Sequence, residues 1–456
     1  VVPAQAATML KNKGFEVAWL DGIAEKKSFE KWLEEVKQEK ADLLFLETKT
    51  PVVKVHWKII SIIKKTRPDL KVVLVGDHVT ALPKESFEKS KVDFVLTGGD
   101  YDFLLLNLAQ HLTRGEKLEP GIWQRGRSGK PFSSGKFKQN HSLDEIPFID
   151  RDLTKWELYA YKNGNYKKTP GTYIMAGRDC WWRYKGGCKF CAWTVLYPEY
   201  KTRSVENVLD EIGELIEKYE IREVMDDAGT FSAGKYLQDF CKGMIERGYN
   251  KKINFDCNVR FGILKREDYE LMAKAGFRFL LYGLESANQK TVDKLNKGIK
   301  ISKIEKELEV LNKANKQVSG HLQPHVTCMV GYPWETKKDA EKTISMTKNL
   351  FAKGLIDTLQ ATVVIAYPGT SLFKLCKKNN WLKSTDWNKY DMRQPIMKTP
   401  MKDKEVMELT QGIYKSFMTP KFILRKVLSI RDLDDLKFFA RAGKAVFGHL
   451  TDFKKI

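Results

Sequence analysis

Three cysteines crowd into one short stretch, GRDCWWRYKGGCKFCAW, at Cys180, Cys188 and Cys191. The other four, Cys241, Cys257, Cys328 and Cys376, stand singly in apolar surroundings and read as core residues. Seven is an odd total, and the first residues lack the basic, apolar and small-residue order of a secretory signal. A disulfide framework is therefore disfavoured, and metal or redox chemistry is the better reading. Three closely spaced thiolates suit an iron–sulfur cluster better than a structural zinc, which wants a fourth protein ligand. An iron left without a cysteine would be open to chelation by the amino and carboxylate groups of a small molecule.

The elements that must position these thiols follow from periodicity. A short apolar strand is expected at 172–176, directly before the cysteine stretch, with further strands at 223–225, 253–256, 279–282, 325–330 and 359–365 separated by helical segments. Six βα units in about 200 residues fit a partial (β/α)6 TIM-type barrel, whose active site lies at the carboxyl ends of its strands. Ahead of it, strands are expected at 15–20, 42–46, 71–75 and 94–96, alternating with helices at 28–39, 54–66 and 101–112. That alternation predicts a Rossmann-like, doubly wound α/β domain with its ligand at the strand carboxyl ends. Residues 113–168, rich in Gly, Lys, Pro and Ser, read as a linker, and the chain beyond about Leu382 reads as helical and basic. The expected organisation is thus an α/β domain over 1–115, a linker over 116–168, the barrel over 169–385 and a helical C-terminal region over 386–456. The opening VVPAQAATMLKNKGFEV reads as a helix followed by a strand with no strand ahead of it, so the sequence is expected to begin inside a longer chain.

Composition narrows the partners. With 42% apolar and 11% aromatic residues the chain can bury a large core. No run of about 18 uncharged apolar residues is present, which favours a cytoplasmic protein. The net charge is +21, but acids alternate with bases in stretches such as KKSFEKWLEEVKQEK, as on a solvated helix. No basic stripe marks a nucleic-acid site. SFMTPKFILRKVLSI, residues 416–430, mixes Phe, Ile and Leu with Lys and Arg, a composition suited either to a membrane surface that supplies a lipid-like substrate or to a helix capping the barrel.

Over roughly residues 170–385 the sequence resembles the radical SAM superfamily. Cys188, Lys189, Phe190 and Cys191 keep the CxΦC half of the family's CxxxCxxC pattern, while seven residues rather than three separate Cys180 from Cys188. The loop must therefore bulge, offering Trp181, Trp182 and Arg183 to substrate or to the neighbouring domain. The resemblance implies a [4Fe–4S] cluster on Cys180, Cys188 and Cys191 and a site for S-adenosylmethionine (SAM). The SAM residues it implies are Phe190; Asp226 and Asp227 of MDDAGTF, facing the methionine amine; Arg260 of FDCNVRF, facing the carboxylate; and Glu285 of the AG…GLES…LNKG stretch. GYPWET (331–336) and YPGT (367–370) resemble the turns after the fifth and sixth strands.

Residues 72–112 resemble the cobalamin (B12)-binding domain found in front of many radical SAM enzymes. Gly76, His78, Val79 and Thr80 fall in its first turn, and Gly98 and Gly99 in its second. Glycine-bearing turns would let backbone amides approach a flat corrin. Two features depart from the family: no DxHxxG motif offers a histidine to cobalt, and Asp77 stands where glycine is usual. The implied reaction is reductive cleavage of SAM to a 5′-deoxyadenosyl radical followed by C-methylation of an unactivated carbon. The alternative is a radical rearrangement, cyclisation or C–C bond formation without net methylation. The implied partners are a small-molecule or lipid-like substrate, bulky enough for the aromatic loop, and an electron donor such as flavodoxin or ferredoxin. The resemblance names no catalytic acid or base, since the cofactors carry the chemistry.

Overall fold

The structure is a computed structural model that describes residues 1–126, 128–163, 165–415, 424, 426–428, 430 and 432–452. Its first sheet has five strands in the order β1 (Leu43–Glu47), β2 (Lys71–Val75), β3 (Phe94–Leu96), β4 (Ile122–Arg125) and β5 (Pro131–Ser133). The first three are parallel, β4 adds antiparallel to β3, and β5 adds antiparallel to β4. The stretch expected as a linker therefore completes the first sheet. Its Gly, Ser and Pro residues serve the tight β4–β5 turn, where Gly126 donates to Lys130 carbonyl oxygen at 2.8 Å.

The strand expected at 15–20 is not formed. Those residues take no place in the sheet order; instead Leu20 packs under the helix Phe29–Gln38, and Trp19 donates its indole N–H to Tyr159. Alternating apolar residues satisfied the strand pattern, yet packing rather than a hydrogen-bonded ladder uses them.

The second sheet is a wholly parallel half-barrel of six strands, β6 (Gly171–Ile174), β9 (Glu223–Asp226), β10 (Asn254–Val259), β11 (Phe277–Glu285), β12 (Gln323–Val330) and β13 (Thr358–Val363). Two short strands, β7 (Gly177–Arg178) and β8 (Lys201–Thr202), pair antiparallel between β6 and β9 and pinch the base of the cysteine loop. Outward residues of the barrel strands pack on the surrounding helices, with Phe231, Phe240, Phe255 and Phe277 meeting at ring separations of 4.8–5.9 Å.

The opposite end of the barrel is closed by charge. Arg278, fully buried, donates to Glu223 at 2.7 Å, Asp256 at 2.8 Å, Gln323 at 2.9 Å and the Asn165 carbonyl at 2.7 Å. The helix Leu433–Asp452 covers this end: Arg441 donates to the Tyr166 carbonyl, Asp435 pairs with Lys167 at 2.7 Å and Asp434 with Arg222 at 2.6 Å. Of the stretch 416–430, residues 416–423, 425 and 429 lie outside the described residues. Among the described residues no helix is long and apolar enough to cross a membrane.

The two sheets share one apolar core. Trp57, Val72, Leu74, Val79 and Val95 of the first unit pack with Tyr332, Ile365, Leu372, Trp387 and Tyr390 of the second. Arg278→Ala would leave Glu223 and Asp256 buried without their cation. It should cost about 3–5 kcal/mol, read as a lowered thermal midpoint; a midpoint equal to the parent's would show that the charged layer is not holding the barrel closed.

Candidate functional site

The three cysteines lie on residues 179–200, the excursion that leaves β7 and returns at β8, at the carboxyl ends of the barrel strands. All three are free and half-buried. The loop is held on both sides. Cys180 Sγ lies 3.1 Å from Thr230 Oγ1 in the loop after β9, and Trp182 donates its indole N–H to the Asn296 carbonyl at 2.6 Å. Asn296 returns its amide to the carbonyls of Lys185 and Gly187, both at 2.8 Å, and Lys189 N–H reaches the Leu295 carbonyl at 2.9 Å. The lengthened first cysteine gap thus holds a short 3-10 turn, Trp181–Lys185, that docks on the segment after β11 through Trp182 and Asn296.

Two cations face the loop. The Arg260 guanidinium lies 4.1 Å from the Trp182 ring and 5.6 Å from the Trp181 ring, with Nη1 3.9 Å from Cys188 Sγ and Nη2 donating to the Lys297 carbonyl. Lys297 Nζ pairs with Glu285 Oε1 at 2.8 Å and stands 5.8 Å from the Phe190 ring. Glu285 ends β11 at φ +65°, just past a register shift that turns its carboxylate toward Lys297. Burial pushes the Cys188 thiol up, with Lys297 and Arg260 opposing it, and burial pushes Cys191 up to about 12. Both thiols lie among charges of the other cysteines. Among the described residues no three His, Cys, Asp or Glu side chains are gathered as around a single metal ion. A donor set of three free thiols flanked by two cations is chemically suited to an anionic iron–sulfur cluster, whose charge the cations would offset.

Of the residues expected to face SAM, Phe190, Arg260 and Glu285 come together beside Cys188. The two aspartates separate. Asp226 is fully buried and accepts the Ala176 N–H at 2.8 Å and the Ala228 N–H at 3.2 Å, tying the end of β6 to that of β9. Asp227 is half-buried and feels Lys49 and Glu47 at the edge of the first sheet. Lys297, Asn296 and Tyr332 were not singled out from sequence. The first two sit in the LNKG stretch that follows Glu285. Tyr332, fully buried, makes no hydrogen bond through its hydroxyl and lies near Glu285 and Cys188.

The residues expected to cradle a corrin are used by the chain itself. His78 is buried against Trp57 and Trp387, with its ring nitrogens 3.4 Å from Thr50 Oγ1 and 3.3 Å from Glu85 Oε2. Val79 is buried in the shared core. Thr80 bridges the two turns, donating to the Gly76 carbonyl at 2.7 Å and accepting the Gly98 N–H at 3.0 Å. A Cβ on Gly76 would lie 2.1 Å from the Thr48 carbonyl oxygen, one on Gly98 2.3 Å from the Phe137 ring, and one on Gly99 2.0 Å from the Tyr197 ring. The glycines at 76, 98 and 99 are thus required by contacts within the chain itself. The more open positions on the same edge are Lys49, Asp77 and Thr80.

The Radical SAM superfamily model matches residues 176–347, and the B12 binding domain model matches residues 4–103. The uncharacterized methyltransferase PH0819 of Pyrococcus horikoshii is 25% identical over 435 residues, 93% of this chain and 89% of its own length. The anaerobic magnesium-protoporphyrin IX monomethyl ester cyclase of Cereibacter sphaeroides is 24% identical over 428 residues, 92% and 66% of the two chains. Among solved structures, the methyltransferase TsrM from Kitasatospora setae, with cobalamin and a [4Fe–4S] cluster bound, superposes with a TM-score of 0.69 at 12% identity, covering 100% of this chain and 96% of that one. The cobalamin-dependent SAM radical enzyme OxsB, with aqua-cobalamin and SAM bound, gives 0.71 at 14% identity, covering 98% and 68%.

Burial pushes Asp226 up to about 7, well above an ordinary aspartate near 3.9. A carboxyl with a raised folded pKa binds its proton more tightly when folded, so its contribution is full below about pH 4 and is lost as pH rises toward 7. Stability of Asp226→Asn relative to the parent should therefore improve over that window. A difference that stays flat from pH 4 to 7 would mean the carboxyl ionises as freely as in water.

Proposed function

The chain is a radical SAM superfamily member with a B12-binding domain ahead of its radical SAM domain, and from that premise we propose a cobalamin-dependent radical SAM enzyme that methylates an unactivated carbon of a small molecule. The observation that carries the site reading is that Cys188, on one loop with the free thiols of Cys180 and Cys191, lies beside Arg260 near the Lys297–Glu285 pair at the carboxyl ends of the barrel strands. With its cofactors bound, the chemistry supplied is reductive cleavage of SAM and delivery of a methyl group.

The chain's own residues bind, orient and exclude water. Cys180, Cys188 and Cys191 would hold the cluster, with Thr230, Asn296 and Leu295 fixing the loop that carries them. Arg260 and Lys297 are the cations that would offset a cluster's charge and receive a carboxylate of SAM, and Glu285 sets the orientation of Lys297. Phe190 closes the apolar side against Leu295 and Tyr332. Trp181 and Trp182 shield the rim, and Tyr332 offers a free hydroxyl to a bound group. Asp226 is a positioning residue for the β6 and β9 ends. A corrin on this edge of the first sheet would meet the more open Lys49 and Asp77. The reductant is a small protein such as flavodoxin or ferredoxin.

A second reading, radical cyclisation without net methylation, is favoured by the 92% coverage of this chain by the cyclase relative. Anaerobic reconstitution with iron and sulfide, followed by iron, sulfide and corrinoid analysis and a SAM-cleavage assay, separates the two. Methylation predicts a [4Fe–4S] cluster, bound corrinoid, and both 5′-deoxyadenosine and S-adenosylhomocysteine, with cleavage abolished in Cys191→Ala. Deoxyadenosine without S-adenosylhomocysteine would favour cyclisation, and a reconstituted chain holding no cluster would refute both.

A further inference from the structure

The segment that follows the third cysteine is plugged into the first unit. After Cys191 the chain makes one short helix, Trp193–Leu196, and Tyr197 then lies in the space above Gly99. The Leu196 carbonyl accepts the Gly99 N–H at 3.0 Å, and the Tyr197 hydroxyl donates to the Gly99 carbonyl at 3.3 Å. Tyr197 is 3% exposed and stacks on Trp193 at 5.5 Å, and Trp193 packs on the core of the first unit. Val195 meets Ala81 over Gly369, the glycine after the last barrel strand. On the other side, Gly98 is held by Thr80 and covered by Phe137.

We propose that the Gly98–Gly99 turn is a socket for the cysteine loop, and that Tyr197 is a positioning residue which fixes Cys191 relative to the B12-binding domain. This rests on the radical SAM reading above, because it concerns where the third cluster ligand is held. Only glycine serves at position 99, since any side chain would occupy the place of the Tyr197 ring. Thr194 carries the restraint back to the ligand: its hydroxyl donates to the Cys191 carbonyl at 2.6 Å. A cluster held on this loop would take its place relative to the first sheet from that contact, so the domain that matches a B12-binding family would also shape the iron site.

The test is a mutant cycle on the full chain, reconstituted anaerobically, with Gly99→Ala, Tyr197→Ala and the double variant. The readouts are cluster iron and sulfide, the electron paramagnetic resonance spectrum of the reduced cluster, and hydroxocobalamin affinity by absorbance titration. Each single variant should lose cluster iron and shift the resonance. Gly99→Ala should add nothing in the Tyr197→Ala background, because the clash it creates is with Tyr197. Tyr197→Ala, which only removes atoms, should leave hydroxocobalamin affinity as in the parent, and it carries the test if Gly99→Ala does not fold. The proposal is overturned by a Tyr197→Ala spectrum identical to the parent's. A Gly99→Ala defect confined to hydroxocobalamin affinity and equal in both backgrounds would also overturn it, since it would make the turn a corrin cradle. A parent chain that assembles no cluster would instead sink the radical SAM reading, and this proposal with it.

Discussion

Arg178 sits in a place where a guanidinium has no access to water. It is 1% exposed, and it lies between the two units, 2.6 Å from Asp102 and 3.6 Å from Asp100 at the start of the helix Tyr101–Arg114, with Gln5 accepting at 3.0 Å. A charge taken out of water is tolerated only if its partners are fixed around it, and removing one partner leaves a large uncompensated cost. The two units therefore cannot slide against each other without exposing or stranding this group. Cys180 follows two residues later, so the same contact sets where the cysteine loop begins. Asp100, pushed up to about 6 by burial, shows how far water is excluded there.

The barrel uses charge a second time at its other end. Arg278 binds Glu223 and Asp256 at the amino-terminal end of the strands, and the C-terminal helix lies over them. With that end closed, the carboxyl-terminal mouth is the open face of the barrel, and the first sheet stands across it. The two ends divide the work: the closed end supplies rigidity, while the mouth carries half-buried thiols, an unpaired tyrosine hydroxyl and cations stacked on aromatic rings. Groups of that kind cost stability in a core and are kept where they meet a ligand.

The mouth is also where the two units merge. A single apolar core runs from Trp57 to Tyr390, and the turns of the first sheet are filled by Phe137 and Tyr197 from later in the chain. The cysteine loop and the edge of the first sheet are thus parts of one packed interface.

The sequence by itself determined most of the elements and the loop that gathers three cysteines. Local pattern was sufficient for the six barrel strands, because each is a short apolar run bounded by turn residues, and for bringing Cys180, Cys188 and Cys191 onto one loop, because they are near neighbours in the chain. It also carried Phe190, Arg260 and Glu285 to the same strand ends. What only the tertiary structure decided are pairings between residues far apart: that 15–20 finds no strand partner, that 122–133 joins the first sheet, that Lys297 reaches Glu285, and that Asp226 turns inward while Asp227 faces Lys49. The role of Gly99 belongs to the same class. A glycine in a turn signals that something approaches closely, but the backbone pattern is the same for a corrin or a tyrosine ring, and 98 residues separate Gly99 from the ring that fills its place.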